Sequence, residues 1–255
     1  MILAAGLGTR LRPLTNDRPK ALVEVAGRAL LEIAISRLCE IGVGDFIVNT
    51  HHHATMIRDY LAANDNFGAR IVVSQEDELL DTGGGLQKAA PFFLDSAADS
   101  QEPFILHNVD VISTIDLSRM MRFHIDQGAL ATLAVQDRPT SRYLLFDTEA
   151  NLCGRRTRLP ATEAKSQSAQ DELVRPAAEV QPLAFSGIHV ISPRLLSMIR
   201  EHGAFSIITT YLDLAARGED IAAFRADQYY WRDLGRPESI TRVEQEMKTG
   251  VYPAH

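Results

Sequence analysis

A short apolar run, Met1-Ile2-Leu3-Ala4-Ala5, passes without a break into Gly6-Leu7-Gly8-Thr9-Arg10-Leu11-Arg12-Pro13-Leu14-Thr15, and Arg18-Pro19-Lys20-Ala21-Leu22 follows. A strand that ends on a glycine turn this rich in cations constrains the chain more than any other stretch. Gly6 and Gly8 permit positive φ and remove Cβ atoms, so backbone N–H groups can approach phosphate oxygens closely. Arg10 adds a planar fork suited to bidentate phosphate contact, and Lys20 adds a compact point charge. Two common phosphate loops are excluded by spacing. A dinucleotide turn needs G-x-G-x-x-G, but Leu11 stands at the third glycine position, and a Walker A loop needs Lys after its last glycine, where this chain has Thr9.

Downstream, short β-rich runs at residues 1–5, 46–50, 70–74, 104–109 and 130–136 alternate with stretches of helical periodicity at 29–41, 55–63 and 116–127. That alternation predicts an α/β fold with a mostly parallel sheet flanked by helices. Residues 151–181 are rich in Arg, Ala, Ser, Gln, Glu and Pro without apolar periodicity, and read as a mobile loop. A strand over 183–191, helices near 193–201 and 206–217 and a last helix opened by Pro237 complete the pattern. No hexapeptide repeat of the kind that builds a β-helix is present. The reading is one domain over 1–255, with a first part to about residue 136 that carries the glycine loop and a second part beyond it.

The 255 residues, 45% of them hydrophobic, are enough to bury one large core. A net charge of −7 offers no field to condense on nucleic acid, so an anionic small molecule must be met by local cations. Cys39 and Cys153 cannot form a disulfide framework, and no apolar run approaches a membrane span, which together point to a cytoplasmic protein. A monomer or small homo-oligomer is expected. His51-His52-His53 lacks a Cys or carboxylate at ligand spacing and reads as a loop and helix cap.

Other segments carry chemistry. Asp110 ends the apolar run Phe104-Ile105-Leu106-His107-Asn108-Val109, and open α/β sheets bind ligands at strand C-termini. Asp233 lies in Tyr229-Tyr230-Trp231-Arg232-Asp233-Leu234-Gly235, a second strand-to-turn passage. Two carboxylates suffice for Mg²⁺, which fills its remaining positions with phosphate oxygens and water. Asp81-Thr82-Gly83-Gly84-Gly85 is a second glycine turn leading into a short helix whose N-terminus can face an anion. Arg155, Arg156 and Arg158 form a basic cluster that reads first as a solvated loop.

The L-A-A-G-x-G-T-R-L-x-P-L-T signature followed by P-K-A-L resembles that of the sugar nucleotidyltransferases, and the resemblance extends over nearly the whole chain. It implies a Rossmann-like fold without a β-helix domain, and Mg²⁺-dependent transfer of a nucleotide from a nucleoside triphosphate to a sugar 1-phosphate. Compact members of the family, uridylyltransferases of N-acetylmuramate 1-phosphate and guanylyltransferases of mannose or heptose 1-phosphate, are most similar. The implied nucleotide contacts are Ala4, Ala5, Gly6, Gly8, Thr9, Arg10, Glu76, Thr82, Gly83 and Asn108. Arg10 and Lys20 would act on the phosphates, Asp110 and Asp233 would hold the metal, and Glu76 would read either uracil or guanine. On the acceptor side, Phe185-Ser186-Gly187-Ile188 resembles the family's F-[ST]-G-I strand, which implies sugar contact at Ser186 and Gly187, with Arg142 beside them. Val109 departs from the glycine common in relatives, and their Glu-Lys-Pro segment is absent from 151–181. A nucleotide-sugar sensor without catalysis, and a CMP transferase for a phosphorylated amino alcohol, stay open as alternatives.

Overall fold

The computed structural model describes residues 1–94, 102–158 and 169–251. In chain order the elements are β1 (Ile2–Leu3), β2 (Glu24–Val25), β3 (Arg28–Ala29), α1 (Leu30–Cys39), β4 (Asp45–Thr50), α2 (Ala54–Ala63), β5 (Arg70–Gln75), α3 (Asp81–Leu94), β6 (Phe104–Asn108) and β7 (Val111–Ser113). They continue with α4 (Leu117–Gln127), β8 (Ala131–Gln136), β9 (Arg142–Phe146), β10 (Leu152–Arg158), β11 (Ala169–Leu173), β12 (Gln181–Ile191), α5 (Ile207–Ala216), β13 (Ile221–Arg225), β14 (Trp231–Asp233) and α6 (Pro237–Lys248).

Among the described residues, ten strands form one sheet. β5, β4, β1 and β6 run parallel in that order, and this half carries the glycine loop at the C-terminal end of β1. β12 then enters antiparallel to β6 and branches, pairing with β8 along one stretch and with β9 along another. β8 carries β13 in parallel, while β9 leads through β10 to β11. Fully buried strands explain why the central runs are nearly continuous in apolar residues. Alternation along them feeds two cores: Phe46, Val48 and Ile105 pack on one face with Leu31, Ile35 and Leu38 of α1, whereas Ile47 and Leu106 pack on the other with Leu86 and Tyr211.

Helix ends follow local chemistry. Asp116 caps α4 by accepting from Arg119 N at 2.8 Å, and Gly128 closes it at φ 60°. Pro237 opens α6 at its first turn, where the missing N–H has no intrahelical role. Two expectations change. The triple glycine is not a turn before a helix but sits inside the first turns of α3. A methyl at Gly83 would overlap the Phe205 ring and one at Gly84 the carbonyl of Gly203, so close packing against residues 203–205 overrides the low helix propensity of glycine. The stretch 151–181, read as a loop, contains β10 and β11, with residues 159–168 outside the described residues. Beyond the buried Leu152 and Cys153, β10 sets Arg155, Arg156 and Thr157 opposite Glu172, Asp171 and Gln170 of β11, and the Arg155–Glu172 and Arg156–Asp171 pairs across the ladder take the place of an apolar pattern. The expected helix near 193–201 is a 3₁₀ segment, Pro193–Met198.

Candidate active site

The glycine loop is shaped by one residue more than the sequence suggests. Gly8 takes φ 64°, Leu11 N donates to its carbonyl at 2.8 Å, and Thr15 Oγ1 donates to the same oxygen at 2.8 Å. A side chain there would meet Thr15 Cγ2 at 2.9 Å as well as adopting an unfavourable φ. Gly6 has an ordinary φ, and open space surrounds the place where its Cβ would stand. The fully buried Leu11 pins the turn to the core.

Two adjoining cavities open at this end of the sheet. The first, of 540 Å³, is lined by Ala5, Gly6, Lys20, Asn49, Leu79, Asp81, Thr82, Asn108 and Asp110, among others. The second, of 890 Å³, includes Arg10, Asn108, Arg138, Arg142, Arg155, Arg156, Ser186, Gly187, Trp231 and Asp233. Asn108 borders both. Its amide stands so near Gly187, at φ 73°, that a Cβ there would lie 2.8 Å from Asn108 Nδ2. The β12–β8 register shifts between Phe185 and His189, which bends β12 away at this point and leaves the second cavity open.

The two aspartates, distant in sequence, become neighbours through a two-stranded ladder. β14 pairs antiparallel with β7, Asp233 opposite Val111, and Leu234 N donates to Asp110 O at 2.8 Å. Asp110 is nearly buried and its carboxylate accepts from the Lys20 ammonium, itself largely covered. Asp233 Oδ1 accepts from Gly235 N at 2.8 Å. Arg10 reaches the same spot: a methyl on Gly235 would lie 2.7 Å from Asp233 Oδ1 and 2.9 Å from an Arg10 guanidinium nitrogen. Two hard carboxylates, one in the turn entering β7 and one at the end of the neighbouring β14, the first already paired with an ammonium, form a donor set that suits a small divalent cation when phosphate supplies further oxygens. Among the described residues no cluster of three or more His, Cys, Asp or Glu competes with it, the histidine run included.

Several expected contacts fall elsewhere. Glu76 lines neither cavity: it is buried, Oε1 accepts from Asn49 Nδ2 at 2.7 Å, and Oε2 accepts from Leu80 N at 3.0 Å. Asn49 Oδ1 in turn accepts from Ala4 N at 2.7 Å. Glu76 therefore links β4 to the entry of α3, and through Asn49 to the end of β1, with both its oxygens accepting hydrogen bonds. Ala4 is buried with its N–H spent on Asn49, and the Gly83 N–H is spent on Phe205 O at 2.9 Å, so neither reaches the cavity. Gly8 and Thr9 shape the loop without lining either cavity. Arg10 faces the second cavity, beside Asp233. Val109 lines the first cavity although, 3% exposed, it also belongs to the core. Ala5, Gly6, Lys20, Thr82, Asn108, Asp110 and the acceptor-side Arg142, Ser186 and Gly187 all line one cavity or the other.

Asn49, Leu79 and Arg138 also line the cavities, outside every motif of the sequence. Asn49 carried a faint signal as the polar break in Phe46-Ile47-Val48-Asn49. Arg138 carried none, since it sits in the polar stretch Asp137-Arg138-Pro139-Thr140-Ser141-Arg142.

Comparison with known proteins agrees with this geometry. The family model described as nucleotidyl transferase matches residues 1–250. The N-acetylmuramate alpha-1-phosphate uridylyltransferase of Caulobacter vibrioides is 33% identical over 252 residues, 97% of this chain and 96% of that protein. Mannose-1-phosphate guanylyltransferase catalytic subunit beta of Xenopus tropicalis is 28% identical over 94% of this chain, which spans 62% of that longer protein. Among solved structures, UDP-glucose pyrophosphorylase from Acinetobacter baumanii superposes with a TM-score of 0.75 at 18% identity, covering 99% of this chain and 93% of that one, a likeness of fold.

Proposed function

The chain belongs to the nucleotidyl transferase family and is a sugar-1-phosphate nucleotidyltransferase, and from that premise we propose that it joins UMP from UTP to N-acetylmuramate 1-phosphate. The observation that carries the choice of acceptor is charge. Five arginines and one carboxylate, Asp233, line the 890 Å³ cavity. Arg155 and Arg156 are matched by Glu172 and Asp171, whereas Arg138 and Arg142 enter no ion pair among the described residues. A neutral hexose 1-phosphate brings one anionic group, and N-acetylmuramate 1-phosphate brings a phosphate and a lactyl carboxylate. The name of the Caulobacter vibrioides relative supports the same reading.

On this proposal residues up to about 136 hold the nucleotide and those beyond it hold the acceptor. Ala5, Gly6, Thr82 and Asn108 border the nucleotide, with Leu79, 39% exposed, offering an apolar surface to the base. Arg142, Ser186 and Gly187 border the acceptor. An oxygen of the acceptor phosphate attacks the α-phosphorus of UTP, the bond to the α,β-bridging oxygen breaks, and pyrophosphate leaves with that electron pair. A phosphate monoester, with its second pKa near about 6, needs no strong general base. Asp110 and Asp233 would hold Mg²⁺, which when bound supplies positive charge to the phosphate oxygens. Lys20, paired with Asp110, and Arg10, beside Asp233, would add fixed positive charge, and the shared border of the two cavities at Asn108 supports donor and acceptor meeting there.

The test is a panel of UTP, GTP, CTP and dTTP against N-acetylmuramate 1-phosphate, N-acetylglucosamine 1-phosphate and mannose 1-phosphate, read by pyrophosphate release. UTP with N-acetylmuramate 1-phosphate should give the highest kcat/KM. Equal or better use of N-acetylglucosamine 1-phosphate, which lacks the carboxylate, would refute the acceptor assignment, and preference for GTP with mannose 1-phosphate would replace both substrates.

A further inference from the structure

Arg138 lies just past the end of β8, and its guanidinium lies over the indole of Trp231 with its carbon 3.6 Å from the ring centroid. Trp231 Nε1 donates to Ser186 O at 2.7 Å, and Arg138 Nη2 donates to Phe185 O at 2.7 Å. Arginine, tryptophan and the bent part of β12 therefore form one braced unit on the wall of the second cavity. Stacking on an aromatic face fixes the plane of the guanidinium before any ligand arrives. The group carries five donors, of which one meets Phe185 O, and Nε is buried without a partner. No carboxylate forms an ion pair with it among the described residues, and burial lowers its pKa while the charge of Asp233 opposes that shift. A rigid, incompletely satisfied cation next to a metal-type aspartate and lining an acceptor-sized cavity is an arrangement built for an anion.

We propose that Arg138, held flat by Trp231, binds the phosphate of the acceptor and orients its attacking oxygen, and that Trp231 reports this event by its fluorescence. The proposal rests on the acceptor assignment only in taking the second cavity as the place where a phosphomonoester enters. Trp231 is the sole tryptophan of the chain, so its emission is unambiguous. The ligand would exchange hydration for charge-assisted hydrogen bonds from a planar donor, and a lysine could supply the charge but neither the fork nor the stack.

The experiment uses the intact protein and the variants Arg138→Met and Arg138→Lys. Trp231 emission is titrated with α-D-glucose 1-phosphate and N-acetylmuramate 1-phosphate, and initial rates are measured over both substrates. For Arg138→Met the acceptor KM should rise roughly 10- to 100-fold, the range that loss of a charged hydrogen bond implies, with the KM of the nucleoside triphosphate unchanged. Arg138→Lys should recover part of that loss, and the emission change on adding phosphomonoester should vanish in Arg138→Met. Unaltered acceptor KM in Arg138→Met, or an equal rise in both KM values, would overturn the proposal. The titration separates this from the choice of substrates. If turnover favours another acceptor but phosphomonoesters still perturb Trp231 only when Arg138 is present, the Arg138 assignment stands and the muramate assignment falls. If wild-type emission ignores every phosphomonoester, the Arg138 assignment falls whatever the preferred acceptor.

Discussion

Replacing Lys20 by alanine removes the ammonium that neutralises Asp110 and so tests how the site is held before substrate arrives. Taking one partner from a buried ion pair costs about 3–5 kcal/mol, because the survivor is left charged and poorly hydrated. Here the side chains keep 14% and 9% of their exposure, so water reaches the survivor and about 2–3 kcal/mol is expected. In a chain of this size each kcal/mol shifts the melting temperature by about 2–4 °C, which places the loss at about 4–12 °C. Millimolar Mg²⁺ should then restore more stability to Lys20→Ala than it adds to the wild type, since a ligand that binds only the folded state stabilises it and the vacated carboxylate no longer shares its charge. Thermal melts with and without Mg²⁺ measure this, and Asp110→Asn should respond to neither change. The double variant Lys20→Ala/Asp110→Asn should melt above Lys20→Ala, the coupling expected of groups in contact. If Lys20→Ala melts with the wild type, or Mg²⁺ shifts both equally, the ammonium is not standing in for a metal charge at Asp110 and the reasoning fails.

Three further outcomes follow from the geometry. Asp233→Asn should lower turnover about 100-fold or more while leaving the circular dichroism spectrum and melt intact, since its carboxylate lines an open cavity; retained turnover would remove it from the site. Gly84→Ala would place a methyl against the Gly203 carbonyl oxygen and should cost about 1–3 kcal/mol in urea unfolding, whereas a neutral result would mean that α3 can shift freely. His107, His124 and His189 are buried neutral, burial pushing them down to about 4, about 4 and about 3. The unfolded chain therefore takes up protons first, so this part of the stability is present above about pH 6.5 and is lost as pH falls from there toward 4, each histidine adding a slope of up to about 1.4 kcal/mol per pH unit. His124 bonds Thr132 Oγ1 at 2.9 Å and Ser192 Oγ at 3.0 Å, and His124→Gln should flatten the slope of urea-unfolding free energy against pH. An unchanged slope would show that His124 does not titrate on unfolding in that window.

The glycine loop and the parallel half of the sheet were legible in the chain because their determinants are local. Gly6 to Lys20 is one continuous segment whose spacing alone excludes two other phosphate loops, and the apolar runs around it mark β1, β4, β5 and β6 to within a residue or two. Asp110 and Asp233 were visible as strand-end residues, but their meeting depends on the β7–β14 ladder, a pairing of short strands that no local pattern announces. The partners of Glu76 were hidden for the same reason: nothing in its own neighbourhood says that Asn49, on another strand, and the Leu80 N–H will bond its two oxygens. The triple glycine looked like a turn because glycine disfavours helix, yet residues 203–205 crowd Gly83 and Gly84, and Asn49 and Glu76 crowd Gly85, so closely that a methyl would overlap at each. The strands at 152–158 and 169–173 escaped because their stabilising pairs are charged and run across the ladder rather than along it. Arg138 was least visible of all, since its standing depends on Trp231 and Phe185, which reach it from other strands. Sequence by itself determined the alternating α/β order and the glycine loop, both set by contacts within a few residues. Tertiary structure alone decided which cations stay unpaired and which carboxylates face the cavities, because burial and pairing are settled between segments that meet only when the sheet closes.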